Sequence, residues 1–157
     1  MKEKPDHHDA DLLLRLYELR RDEKLREARD WTIALMVADS LEDFRKRYPG
    51  GTKENAWFRM ATSYWEMAGS LVNQGLINNE LFFETTGEFW TVWERVKPLV
   101  EALRLQNKNP LYLKNLETIA EKYEQWMTGR APEALGESRK RLDQIVAQAR
   151  AAKKSEA

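Results

Sequence analysis

The sequence predicts an all-α protein, a mostly antiparallel helical bundle of five or six helices, and three observations support this prediction. Charged residues make up 33% of the chain and hydrophobic residues 42%, a mixture typical of helices with salt-bridged outer faces. Only 7 Gly and 5 Pro interrupt the sequence. Apolar residues recur at intervals of three and four, and no segment shows the alternation of a half-buried strand.

The N-terminal third of the chain is expected to be helical after a disordered tail of residues 1–8. The first helix should begin near Ala10, with Asp9 as its N-cap. The stretch RRDEKLREARD (20–30) is charged on nearly every side, whereas the following WTIALMVA is apolar all round. Because no Gly or Pro separates the two, residues 10–47 are compatible with one helix or with two.

The next predicted helix contains Glu66, which stands between a Trp and a Met in the stretch SYWEMAGSLVNQG (63–75). Thr52 is a good N-cap for this helix, and Gly75 is a natural left-handed residue after its end. On a helical projection the apolar side chains share one arc, and Glu66 falls opposite the middle of it. We therefore expect Glu66 to face solvent.

An αα-hairpin is predicted to follow, with Asn78 as the N-cap of the fourth helix. Ile77, just before this cap, can pack on Phe82 as a hydrophobic staple. The fourth helix should cover residues 79–106 and bend at Pro98, which lacks a backbone donor.

Two further helices complete the prediction. The dipeptide Asn109–Pro110 predicts the start of the fifth helix, which should end at Gly129. Pro132 opens a sixth helix, and residues 153–157 are expected to be disordered. Residues 9–152 would then form a single bundle domain.

The sixth helix differs from the others because its apolar stripe is narrow and lacks aromatic residues. Such a row resembles a coiled-coil seam, which one neighbouring helix can cover. The helix could pack on its own core or face a partner, and the pattern leaves both open. The partner-facing seam would consist of Leu135, Leu142, Ile145 and Ala149.

A ligand pocket is the other candidate site. Most of the six tryptophans lie at the spacing of core residues, but Trp90 lies at the edge of its buried arc. Glu94 follows one turn later and Lys97 a further turn on, near Pro98. An aromatic wall with one charged pair is the kind of lining that small-molecule pockets use.

Several classes of function are disfavoured by the composition. The chain has no Cys, and its two histidines, His7 and His8, are adjacent in the expected tail, so a Ser–His pair in the folded body is excluded. Glu80, Glu84 and Glu88 repeat every four residues, but they should form a solvated face. We expect no metal, no cofactor and no enzymatic activity.

Nucleic acid and membrane are not expected as partners either. Lys+Arg equals Asp+Glu at 26 each, so no basic field is left for nucleic acid. The apolar stretch WTIALMVA is far shorter than a membrane span needs. No N-terminal apolar run indicates a signal peptide, and a cytoplasmic location is expected.

Three stretches of the sequence resemble a group of small, uncharacterised all-helical bacterial proteins. They are LYELRRDEKLREARDW (16–31), FRMATSYWEMAGSLVNQGLINNELF (58–82) and NPLYLKNLE (109–117). The resemblance implies a helical fold and a bacterial origin, and it transfers no functional residue.

The sequence therefore predicts a non-enzymatic helical module for protein interaction or self-association. The alternative is a bundle that binds or senses a small molecule in a pocket near Trp90, Glu94 and Lys97.

Overall fold

The computed structural model describes residues 4–156 and contains eight α-helices and no strands in that range. The all-α class is confirmed, whereas the predicted count of five or six helices is wrong. The antiparallel arrangement stays a prediction. The helices are α1 (His7–Arg20), α2 (Glu23–Ala34), α3 (Leu41–Arg47), α4 (Lys53–Asn73), α5 (Asn79–Thr85), α6 (Glu88–Gln106), α7 (Lys114–Arg130) and α8 (Ala134–Ser155).

Within residues 10–47 the chain breaks twice without any Gly or Pro, and a polar side chain caps the helix that follows each break. Asp22 accepts a hydrogen bond from the backbone N–H of Leu25 at 3.1 Å, which ends α1 and starts α2. Ser40 accepts from the N–H of Asp43 and starts α3 in the same way. Residues 10–47 are thus parts of three helices, because short N-cap side chains satisfy the free donors of a first turn.

The predicted fourth helix is also divided. Asn78 caps α5 through a 2.9 Å bond from the N–H of Leu81, as predicted. Thr86, in extended conformation, then interrupts the helix, and α6 begins after Gly87. Pro98 lies inside α6, which continues through it from Glu88 to Gln106.

The N-terminal boundary differs from the prediction as well. Helix α1 begins at His7 with Asp6 as its N-cap, and Asp9 completes a capping box from the third helical position. Residues 1–3 of the predicted tail lie outside the described residues. At the other end, α8 extends to Ser155, so residues 153–155 are helical rather than disordered.

Helix α4 is the centre of the fold, since it packs most extensively against α2 on one side and α7 on the other. Gly69 permits the close approach to α7, because a Cβ there would lie 3.0 Å from the backbone carbonyl carbon and oxygen of Asn115. As predicted, Thr52 caps α4, and Gly75 after its end has φ 77°. The core around α4 is aromatic-rich and includes Trp65, Phe82 and Phe89.

Glu66 does not face solvent freely, which corrects the prediction for this residue. Its carboxylate accepts from the backbone N–H of Leu116 at 2.8 Å, and from the N–H and Nδ2 of Asn115 at 3.2 and 3.0 Å. These donors belong to the first turn of α7, which has no capping side chain of its own and follows Leu113 at φ 53°. Glu66 therefore caps α7 from α4, where a negative charge is favourable.

Candidate functional site

A pocket of about 380 Å³ with a mainly apolar lining opens between α1, α4 and α5. Its size and composition suit a small ligand, since most ligand sites are apolar clefts of roughly 300–1,000 Å³ with a few polar groups. The lining residues are Leu13, Leu14, Leu16, Tyr17 and Arg20 of α1, Tyr64 and Trp65 of α4, Phe82 and Thr85 of α5, and Thr86.

The inner wall of this pocket is part of the core. Leu16, Tyr64, Trp65 and Phe82 are buried, and Trp65 packs against the rings of both Tyr64 and Phe82. The outer rim is exposed: Leu14 and Tyr17 keep 61% and 51% of their surface accessible. An apolar molecule in the pocket would therefore contact ordered aromatic walls and cover side chains that now face water.

Hydrogen bonds at several points along α1 hold it over this space. Near its start, Asp9 Oδ1 accepts from the backbone N–H of Asn78 at 2.7 Å. Farther along, the Tyr64 hydroxyl donates to the carbonyl of Leu16 at 2.5 Å. At its end, Arg20 Nη1 donates to Thr86 Oγ1 at 3.1 Å, and Arg29 of α2 donates to the carbonyl of Arg20. The helix is thus fixed at several points, and the pocket is largely pre-formed.

Arg20 is the charged group of the pocket. Its guanidinium carbon lies 5.3 Å from the ring centre of Tyr17 and 5.8 Å from that of Trp65. No carboxylate lies within ion-pair distance of it among residues 4–156. The neighbouring Glu88 is instead paired with Arg29 at 2.5 Å. The pocket therefore combines apolar walls with one cation that has no counter-charge.

Two further polar groups belong to the lining residues, the Tyr64 hydroxyl and the Trp65 indole N–H. Burial raises the pKa of Tyr64 to about 12, so this phenol is a neutral donor at physiological pH. Among residues 4–156, the buried indole Nε1 of Trp65 has no hydrogen-bond partner, a property that it shares with Trp126. Most buried donors in proteins have an acceptor, so this N–H is an exception within the core.

The three residues of the predicted pocket do come together, in a polar cluster with Glu124 and Arg139. Trp90 is buried and donates from Nε1 to Glu124 at 2.8 Å. Lys97 bonds Glu94 at 2.7 Å. Arg139 of α8 lies 5.2 Å above the Trp90 ring and pairs with Glu124 at 2.6 Å and with Glu94 at 3.5 Å. Lys97 also lines a cleft of about 760 Å³, and a ligand site at the three predicted residues stays a prediction.

The predicted seam of α8 is covered by the chain itself. Leu135, Leu142 and Ala149 are buried, and Ile145 is half-buried. The helix packs on α7 and α2. Of the two alternatives left open by the sequence, packing on its own bundle is the one found in this structure.

Other sequence-based expectations have mixed outcomes. Glu80 and Glu84 are exposed as predicted, whereas Glu88 is half-buried in its pair with Arg29. No cluster of three potential metal ligands occurs among the described residues. Within the same residues, no helix combines the length and apolarity required to cross a bilayer.

The outer wall of the pocket, Leu14 and Tyr17 of α1, was not predicted from the sequence. These two lie three residues apart on an adjoining strip of the helix, which was the available signal.

Comparison with known proteins gives one match. No curated protein and no solved structure matches the chain. A family model described as a domain of unknown function, DUF4760, matches residues 5–123, which extend from α1 into α7. All the pocket residues fall inside this range, and α8 falls outside it. Since the match covers most of the chain, the protein belongs to the DUF4760 family.

Proposed function

We propose that the protein is a non-enzymatic binding or sensing module, which holds a small apolar molecule in the pocket between α1, α4 and α5. The observation that carries this proposal is the pocket itself: buried aromatic walls, an exposed aliphatic rim and a cation without a counter-charge. The sequence placed a ligand site near Trp90, and the proposal moves it to α1.

Binding without catalysis is favoured by the chemistry of the lining. Its polar groups are one guanidinium, two phenols, two threonine hydroxyls and one indole N–H. The phenol of Tyr64 has a raised pKa and donates to a backbone carbonyl, which makes it a poor general base. None of these groups forms the nucleophile–base pair that covalent catalysis requires. A cytoplasmic location in a bacterium remains part of the proposal.

The hypothesis of a protein-interaction or self-associating module remains a prediction. Its specific surface, the seam from Leu135 to Ala149, is buried against the chain's own helices. A partner at that seam would first have to displace α8 from α7, so we favour the pocket.

The experiment is calorimetric titration with two eight-carbon probes, octanoate and 1-octanol. We expect saturable binding of one molecule per chain for at least one of them. Leu14→Trp should abolish it, because a bulky side chain at this exposed rim position fills the mouth of the pocket. Leu19→Trp is the matched control, since Leu19 is equally exposed on α1 but does not line the pocket.

Two results would contradict the proposal. One is the absence of saturable binding for both probes. The other is binding that Leu14→Trp and Leu19→Trp reduce equally, because the ligand would then lie elsewhere on the molecule.

A further inference from the structure

We propose that the ligand of the α1–α4–α5 pocket is a monocarboxylate with an apolar tail, and that Arg20 binds its carboxylate. This inference rests on the proposed function and names the chemical class of the ligand. The tail would lie along the leucines and aromatic rings of the pocket, and the head group would lie at the end of α1, beside Thr86.

Arg20 differs in its hydrogen-bond acceptors from every other arginine that is buried or half-buried among residues 4–156. The others all bond a carboxylate or backbone carbonyls: Arg29 with Glu88, Arg95 with the carbonyls of Ile33 and Met36, Arg104 with Glu117, Arg139 with Glu124, and Arg150 with Asp39. Arg20 has only the neutral hydroxyl of Thr86 as acceptor. Because a partly desolvated guanidinium gains most from an anionic acceptor, the missing partner is an anion.

The donors that Arg20 leaves unused indicate the type of anion. A guanidinium has five N–H donors, and Arg20 uses one of them on Thr86. The remaining donors can form the two parallel bonds that a carboxylate accepts. No second cation lines the pocket, so a single negative charge is matched and a dianion such as a phosphate monoester is not.

The remaining lining residues also favour a carboxylate with an apolar tail. No acidic residue lines the pocket, and the nearby Glu88 is neutralised by Arg29 at 2.5 Å, so an incoming carboxylate meets little repulsion. All the lining residues except Arg20, Thr85 and Thr86 present aliphatic or aromatic surface. Such a lining favours a hydrocarbon or aromatic tail over a sugar or a nucleotide.

The test compares octanoate, 1-octanol and octylamine by calorimetry on the full chain. These probes share a tail and differ only in head group. We expect octanoate to bind about tenfold or more tightly than 1-octanol, because only octanoate can form a charge-assisted hydrogen bond between anion and arginine. Octylamine should bind more weakly than either, because its ammonium faces the guanidinium.

Variants then locate the effect. Arg20→Met keeps the length and apolar surface of the side chain, and it should remove the preference for octanoate over 1-octanol. Arg20→Lys should retain part of that preference. Arg15→Met, which removes an exposed cation from the same helix outside the pocket, should bind all three probes like the wild type.

The outcomes separate the two claims. Equal affinity for octanoate and 1-octanol in the wild type, with both lost in Leu14→Trp, would overturn the carboxylate inference and leave the pocket standing. An undiminished octanoate preference in Arg20→Met would also overturn it. Failure of all probes to bind the wild type would overturn the proposed function and this inference together.

Discussion

Two regions of the molecule place an arginine over a tryptophan, and they differ in what surrounds the pair. At α8, Arg139 covers Trp90 and is paired with Glu94 and Glu124, and the Trp90 indole N–H is bonded to Glu124. At α1, Arg20 lies 5.8 Å from the ring of Trp65 without a carboxylate, and the Trp65 indole N–H has no acceptor. In the first region Arg139 is paired with two carboxylates, whereas in the second region Arg20 has no anionic partner among residues 4–156.

The difference shows that proximity of aromatic and charged side chains does not by itself make a binding site. In the α8 region, Glu94 is paired with Lys97 and Arg139. Arg139 is also paired with Glu124. In the α1 region the carboxylate that could satisfy Arg20, Glu88, is already held by Arg29. A site is indicated where the protein leaves both space and an unmatched charge.

The largest expected effect is the removal of the helix that closes the first region. Truncation after Gly129 deletes Leu135 and Leu142, which are buried. At roughly 1.5–3 kcal/mol for each fully buried Leu, the free energy of unfolding should fall by about 3–6 kcal/mol. Urea unfolding followed by circular dichroism measures this loss. Unchanged stability would mean that α8 is not part of the core and that the Trp90 region is not closed by it.

A smaller effect is expected where α2 holds the end of α1. Arg29 pairs with Glu88 and donates to the carbonyl of Arg20, so Arg29→Met leaves a half-buried carboxylate and a carbonyl without their partner. We expect the free energy of unfolding to fall by about 3 kcal/mol, which is the lower end of the range for breaking a buried ion pair. Arg26→Met, at an exposed position of the same helix, should change stability by no more than about 0.5 kcal/mol. Equal losses in the two variants would show that Arg29 does not anchor α1.

The smallest effect, and the one with a pH signature, concerns Tyr64. Tyr64→Phe should reduce stability by about 1 kcal/mol at neutral pH, because the carbonyl of Leu16 loses its donor. Burial raises the pKa of Tyr64 from 10.0 to about 12. Above pH 10 the unfolded chain releases this proton and the folded chain does not, so unfolding becomes more favourable as pH rises.

The stability advantage of wild type over Tyr64→Phe should therefore be fully present below pH 10 and shrink between pH 10 and pH 12. Chemical unfolding across this range measures it. Tyr17→Phe serves as the control at neutral pH, because Tyr17 is 51% exposed and its substitution should change stability by no more than about 0.5 kcal/mol. A constant difference for Tyr64→Phe would contradict the buried, hydrogen-bonded phenol.

The parts of the fold that sequence predicts well are those decided within one turn of helix. The caps at Thr52 and Asn78 were predicted, because each depends on a side chain and on a backbone donor three residues away. The left-handed Gly75 was predicted, because glycine adopts a positive φ without steric cost. The breaks at Asp22 and at Thr86 depend on equally local groups, but both lie inside continuous helical patterns. Periodicity alone favours one long helix there.

Contacts between helices set the limit of prediction. The projection of α4 correctly placed Glu66 off the main apolar face, but it could not show that the uncapped start of α7 lies there. The pattern of α6 brought Trp90, Glu94 and Lys97 to one side, but it could not show that Arg139 of another helix covers them. The pocket was missed for the same reason, since its walls belong to three helices that no sequence spacing relates.

The most direct test of the central claim is a two-dimensional ¹⁵N–¹H spectrum of the six tryptophan indole N–H groups during titration with octanoate. The account predicts that the Trp65 indole signal shifts with saturation, because the Trp65 ring lines the pocket. The Trp90 signal should stay in place, because its N–H is bonded to Glu124 under Arg139. A saturating shift of Trp90 with Trp65 unmoved would contradict the account, as would a spectrum in which no indole signal responds.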